Sequence, residues 1–419
     1  MMGLMNAPAA TAECIEAAVC ALGAGALNEG ALEKQIAPLF SRVRAAFRDC
    51  AYLANHSLGR PLDAMDDDIR EGTAAWYAQM GGAWEAWEAE STAFRSRLAQ
   101  LLNAPRPDCV VPKTSAGQGL RSILNTYDHV PRVVATRGEF DSLDVILREY
   151  ALRGRIALTM VEARADGRFD TADIIAAIDN GADLVVVSHV IFNTGQRLAD
   201  LRGIVAAARR SRAKVLLDVY HTLGVLPIDV IELDVDFAVG GSYKYLRGGP
   251  GACFLYLHSR HLDGSLRTLD TGWFAKREPF TYRRPDPPQY GAGGNAFLES
   301  TPPVLPFYQA RSGQLLTLAL GVGRLRAYSL AQQRRLVALL ANNGIVAAGG
   351  SEDRGAFVVV QDHRAEAWAS ALLAVGIIAD ARGRHLRLCP DVLTTDNELV
   401  LAADTLAAVA TDRAVTRSV

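Results

Sequence analysis

Between about residues 108 and 260, short runs of branched apolar residues alternate with stretches of helical periodicity. The runs lie at 109–112, 132–135, 184–188, 214–218, 237–240 and 252–256. Four to six apolar residues without strict alternation suit strands covered on both faces. Strands separated by helical patterns predict an α/β fold, a mostly parallel sheet covered by helices, with small-molecule sites beyond the strand C-termini. Residues 1–50 read as an Ala-rich helical lead-in, with apolar positions at Ile36, Leu39, Val43 and Phe47. A strand-like piece ending in a turn follows at 52–59, then one long helical pattern over 66–102. Residues 262–300 are rich in Gly, Pro, Tyr and Arg and read as a loop-dominated segment. Beyond them the pattern predicts a long helix at 305–341, strands at 356–360 and 386–389, a helix through Trp368 and Leu373, and a final helix at about 397–409. The expected organisation is an N-terminal helical segment with a substrate-side strand (1–65), a large α/β domain (66–300) and a smaller α+β domain (301–419).

Composition narrows the functional classes. A chain of 419 residues exceeds one ordinary core. A formal charge of −2 gives no electrostatic footprint for nucleic acid or an anionic membrane surface. No run of about 18 apolar residues predicts a membrane span. The N-terminal stretch carries Glu13 and Glu16 and no basic region, so a signal peptide is not expected and a cytoplasmic location is. The six cysteines form no CxxC or Cys/His cluster, so neither a metal site nor a disulfide framework is expected. Lysine is scarce: Lys34, Lys113, Lys214, Lys244 and Lys276 are the only five among 44 basic residues. Composition bias toward arginine explains that scarcity, but it shortens the list of candidates for amine chemistry.

No GxxxxGK[ST] loop is present. Ser115-Ala-Gly-Gln-Gly119 follows a predicted strand and opens a helix, where Thr114 and Ser115 either begin a phosphate site or form a simple capping turn. The strongest constellation is Asp218-Val-Tyr-His221 with Ser242-Tyr-Lys-Tyr245. Asp218 ends one apolar strand and Lys244 follows another, 26 residues later, so both project from strand ends into one cleft. A buried carboxylate there is costly without a cationic partner. Such a pair suits pyridoxal 5′-phosphate (PLP), whose aldehyde takes a lysine and whose pyridine nitrogen takes a carboxylate.

Here the sequence resembles the PLP-dependent class V aminotransferase superfamily of fold type I, and within it the kynureninases. The resemblance rests on Ser188-His-Val-Ile-Phe-Asn-Thr-Gly-Gln196, Asp218-Val-Tyr-His221, Val235-Asp-Phe-Ala238, Ser242-Tyr-Lys-Tyr245 and Gly272-Trp-Phe274. Tyr52-Leu-Ala-Asn-His-Ser-Leu-Gly59 is similar to the family stretch YLdGNSLG, and Ser300-Thr-Pro-Pro303 to its GTPP turn. The resemblance implies that Lys244 is the Schiff-base lysine and Asp218 the pyridinium partner. It places His221 and Ser188 beside the cofactor, Phe140 on the ring face, and Thr114, Ser115 and Tyr243 on the phosphate. Tyr243 is also implied as a catalytic helper. A homodimer is implied, with Trp273 and Thr301 approaching the phosphate from the neighbouring subunit. Arg387 would grip the carboxylate of an amino-acid substrate, with Asn55 and Ser57 on the substrate side.

Four departures bear on the substrate. Phe140-Asp-Ser-Leu143 stands where kynureninases carry Phe-Pro-Ser-Asp, and Ala275-Lys276 where they carry Gly-His. Residues 57–128 contain no histidine to match the family's substrate-facing one, and Asp391-Val-Leu-Thr-Thr395 replaces an LYNSF-like stretch. The expectation is therefore hydrolytic Cβ–Cγ cleavage of L-kynurenine or a related γ-keto or β-substituted L-amino acid. Transamination, epimerisation or Cβ–S cleavage, and a non-catalytic PLP-fold binding role, remain open.

Overall fold

The computed structural model describes residues 7–411. The outermost residues of the expected first and last segments, 1–6 and 412–419, lie outside the described residues. Strand β1 (Ala51–Tyr52) precedes a central sheet of seven strands: β2 (Val110–Lys113), β3 (Arg132–Thr136), β4 (Ala157–Val161), β5 (Leu184–Ser188), β6 (Lys214–Asp218), β7 (Phe237–Gly241) and β8 (Cys253–Leu257). Their spatial order is β2-β8-β7-β6-β5-β3-β4. The pairs from β7 to β4 are parallel, whereas β8 runs antiparallel to both β7 and β2. The sheet is thus mostly parallel, as expected, and β5, β7 and β8 are buried along their whole length, as is β6 beyond its half-buried first residue, Lys214.

Apolar clusters cover both faces. One gathers Val185, Val187, Val215, Leu217 and Phe254 under the helices Ala83–Leu102 and Leu201–Arg210. The other gathers Val133, Val186, Leu216 and Val239 under Ala116–Leu124 and Asp141–Leu152. Strand β4 went unpredicted because it is an edge whose residues alternate between exposed and half-buried before Val161.

A second sheet, β9 (Val358–Gln361), β12 (His385–Leu388) and β11 (Asp380–Arg382), is antiparallel throughout. Between β9 and β11 lies β10 (Ile377–Ile378), which pairs in parallel with β1. The N-terminal strand therefore reaches across to the C-terminal part of the chain. A separate apolar cluster, including Leu53, Leu336, Trp368, Leu386 and Leu406, underlies this sheet.

Two predicted helices are each divided. The 66–102 pattern breaks at Met80, with φ of 48°, into Ala64–Gln79 and Ala83–Leu102. The 305–341 pattern breaks at Gly321, with φ of 82°, into Leu305–Leu320 and Val322–Asn342. Glycine takes the left-handed region without a Cβ penalty, so the break falls where the chain can reverse cheaply. Leu305–Leu320 then packs on both halves of the first divided pair.

Candidate active site

The C-terminal ends of β5, β6 and β7 open on a cavity of about 160 Å3. Asp218, the last residue of β6, is 4 % exposed, and its Oδ1 accepts the Tyr220 N–H at 2.8 Å. Lys244 lies three residues past β7 and is also 4 % exposed. Its Nζ is 2.6 Å from His221 Nε2 and 5.6–5.8 Å from the ring centres of Phe140, Tyr220 and Tyr243. Burial pushes the Lys244 amine below the ordinary lysine range, against the pull of Asp218. Burial pushes Asp218 up, against the Tyr220 N–H and the Lys244 charge. Among the described residues neither group has an ion-pair partner within 4 Å, so two complementary charges face the same space without closing on each other. The segment joining β6 to β7 is turns and irregular chain, so the 26-residue separation spans a crossover without a helix.

The structure brings most of the expected cofactor residues together. Thr114, Ser115, Phe140, Ser188, Asp218, His221, Tyr243 and Lys244 all line the cavity. Ser115 caps Ala116–Leu124, its Oγ accepting the Gln118 N–H at 3.1 Å. Thr114 donates both its N–H and its hydroxyl to Gln118 Oε1. Phe140 begins the next helix and meets Phe192 edge-on at 5.5 Å. His221 is buried, and its imidazole is held well below its usual value, first by burial and then by Lys244. Its Nδ1 has no hydrogen-bond partner among the described residues. Tyr243 is pushed up to about 12 by burial, so its phenol stays protonated.

Trp273 and Thr301 do not reach this cavity. They bond to each other, Trp273 Nε1 donating to Thr301 Oγ1 at 3.1 Å. Thr301 instead lines a surface hollow with Lys113, Thr114 and Gln118.

Arg387, Asn55 and Ser57 gather beside the cavity rather than on its wall. Arg387, on β12, donates from Nη1 to the carbonyl of cavity-lining Phe192 at 2.5 Å. From Nη2 it donates to Asp380 Oδ1 at 2.7 Å, its directly paired neighbour on β11. Asp380 also accepts from the Ser57 hydroxyl and lies 3.1 Å from Arg382. Asn55 Nδ2 donates to the Cys389 carbonyl at 2.9 Å. Cys389 is buried beside Arg387, and burial pushes its thiol up, so it is no exposed nucleophile. Gly59 donates its N–H to the Tyr243 carbonyl at 2.8 Å, and a Cβ there would overlap the Lys244 carbonyl oxygen. The turn after β1 thereby seats directly on the lysine segment.

Three residues escaped the sequence reading. His56 is fully buried and stacked on Phe357 at 4.9 Å, with its ring 6.4 Å from His221. Neither of its ring nitrogens has a hydrogen-bond partner among the described residues. The signal was its place in Tyr52–Gly59, where the family stretch carries Asn. Asp380 left no sequence signal, since its significance depends on strand pairing. Glu139 sits one residue before Phe140, and that adjacency was the only clue.

The donor set fits PLP: a buried carboxylate, a buried amine, an aromatic face, and a helix start open to a phosphate. The "Aminotransferase class-V" family matches residues 61–392. The kynureninase of Geobacillus thermodenitrificans (strain NG80-2) is 29 % identical over 334 residues, covering 75 % of this chain and 76 % of that protein. The kynureninase of Burkholderia mallei (strain SAVP1) is 26 % identical over 351 residues, covering 79 % and 82 %. The fold is similar to that of the cystine C–S lyase C-DES in complex with cysteine persulfide (TM-score 0.76, 20 % identity, 87 % of this chain and 98 % of that one). It is also similar to the apo cysteine desulfurase of Thermococcus onnurineus NA1 (TM-score 0.74, 16 % identity, 88 % and 97 %). With its family match spanning most of the chain and its expected cofactor residues assembled at the strand ends, the protein belongs to the class V aminotransferase family, as a kynureninase-like PLP-dependent enzyme.

Proposed function

We propose that the enzyme cleaves the Cβ–Cγ bond of an L-amino acid hydrolytically, with L-kynurenine or a related γ-keto or β-substituted amino acid as substrate. The observation that carries this reading is the Asp218–Lys244 pair in one cavity, with Arg387 one carbonyl away through Phe192. When bound, PLP supplies an electron sink for the bonds at the substrate Cα. Asp218 holds the proton on the ring nitrogen, where its buried charge has most effect. Phe140 covers a ring face, while the Ser115 helix start and Thr114 hold the phosphate. Lys244 Nζ, its unprotonated form favoured by burial, moves the Cα proton. His221, neutral at pH 7, supports Nζ without competing for its charge. The Tyr243 O–H donates toward the γ-carbonyl as water adds. Arg387 orients the substrate carboxylate, sharing its guanidinium with Asp380.

The kynureninase relatives support the hydrolytic branch. Transamination, epimerisation or Cβ–S cleavage is the second reading, favoured by Asp391–Thr395 in place of the family's LYNSF-like stretch. A non-catalytic PLP-binding role is the third. We also place residues 66–300 and 301–419 in separate domains, expect a cytoplasmic homodimer, and assign Trp273 and Thr301 to the partner's phosphate site. Among the described residues no helix is long and apolar enough to cross a membrane. The deciding experiment incubates the PLP-loaded enzyme with L-kynurenine and follows anthranilate and alanine. Release of both is expected. Accumulation of pyridoxamine phosphate without anthranilate supports transamination, and no reaction with any amino acid of a broad panel supports the binding role.

A further inference from the structure

Glu139 is 2 % exposed and carries a carboxyl for which the chemistry above has no use. Its Oε1 lies 2.6 Å from Thr136 Oγ1 and its Oε2 2.6 Å from Ser188 Oγ. Thr136 already accepts the Gly138 N–H at 3.2 Å, which leaves its own proton for Glu139. Among the described residues no cation lies within 4 Å of this carboxyl. The ionisable group whose charge acts on it is Asp218, of like sign. An ionised carboxylate in that setting pays desolvation with two hydroxyls and the Ser188 backbone N–H to offset it, and no cation. Burial pushes the group up to about 7, the same direction.

A proton on Oε2 changes what Ser188 does. Ser188 ends β5, is paired in register with Asp218, and lines the cavity. Facing a carboxylate, its hydroxyl proton would point back into the core. Facing a carboxylic acid, the hydroxyl accepts from Glu139 and its own proton is released toward the cavity.

We propose that Glu139 is a positioning residue whose protonated carboxyl donates to Ser188, fixing the Ser188 hydroxyl as a hydrogen-bond donor to an oxygen of the cofactor bound beside Asp218. Glu139 touches neither cofactor nor substrate, and it acts only through Ser188.

The test uses holoenzyme without substrate, so its outcome is independent of which amino acid the enzyme processes. The readout is the pH midpoint of the visible band of the Lys244-bound cofactor. A hydrogen bond donated to a cofactor oxygen favours the form that has lost its proton. S188A removes the donor and is expected to raise the midpoint by about one unit, the worth of one hydrogen bond. E139Q keeps the geometry, its amide donating to Ser188 and its carbonyl accepting from Thr136, and is expected to leave the midpoint in place. Infrared difference spectra of wild type against E139Q are expected to contain the carbonyl stretch of a protonated carboxylic acid. A fall in the midpoint on E139Q, as loss of a nearby negative charge produces, would overturn the proposal. So would an unmoved midpoint in S188A, or an infrared difference containing carboxylate bands alone.

Discussion

Lys244 and Asp218 were legible in the sequence because Asp218 ends one apolar run and Lys244 follows another within a few residues, where a charged residue has no packing reason to be. Their partners were less so. His221 could be read only through the motif it shares with Asp218, and His56, Asp380 and Glu139 acquire meaning from neighbours that sequence distance hides. Asp380, for instance, meets Ser57 across 323 residues. Two substitutions test the residue-scale chemistry. Lys244→Ala removes the amine proposed to carry the cofactor. The purified variant is expected to lose the visible absorbance of the lysine-bound form, and turnover is expected to fall at least about a thousandfold, the loss of a positioned acid–base group. Spectra and steady-state rates check this, and a variant with wild-type absorbance would remove Lys244 from the cofactor site. Asp218→Asn keeps size and the Tyr220 N–H contact but not the charge. Turnover is expected to drop about ten- to a hundredfold, the worth of a charged hydrogen bond.

At the scale of elements, β5 and β6 coincide with the predicted runs residue for residue, because strands buried on both faces leave an uninterrupted apolar signature. Edge β4 and the short β11 have no counterpart among the predicted runs, while the buried β12 lies one residue from the predicted 386–389. Half-exposed strands carry mixed sequences, and hairpin register is a property of two segments at once. That register matters here, since it sets Asp380 directly opposite Arg387. A substrate carboxylate reaching Arg387 competes with a carboxylate already there. Asp380→Asn retains a hydrogen-bond acceptor and removes the competing charge. The dissociation constant for L-alanine, read from the visible band of the holoenzyme, is expected to fall about fivefold, close to the upper range for a partly screened ion pair. A weaker complex would mean that Asp380 holds Arg387 in its working orientation rather than contesting it.

The molecule as a whole is tied together at a point where its sequence departs from the family pattern. Asp391 heads the stretch that replaces the family's LYNSF-like segment, and its carboxylate lies between two arginines from distant parts of the chain. Arg60 follows the N-terminal turn, and Arg247 follows the lysine segment, its Nη2 donating to Asp391 Oδ2 at 3.1 Å. All three side chains are less than a tenth exposed. The Gln332 amide secures the Asp391 carbonyl at 2.9 Å, joining the long helix to the same knot. Desolvation alone raises the Asp391 carboxyl, but Arg60 and Arg247 outweigh it and hold the group below the ordinary carboxylate range. A carboxyl with a depressed native value stabilises the fold fully above its unfolded value, about pH 4, and loses that contribution as pH falls through the native value. Asp391→Asn leaves two buried guanidinium groups without their anion, a loss of about 3 kcal/mol, or roughly 3–4 °C in the midpoint of thermal unfolding at pH 7. The gap between wild type and variant is expected to hold from pH 7 down to about pH 4 and to close below it. Thermal scans across that range check both the size and the sign. A gap that widens in acid would mean that the arginines are paired elsewhere and that Asp391 is held by its backbone contacts alone.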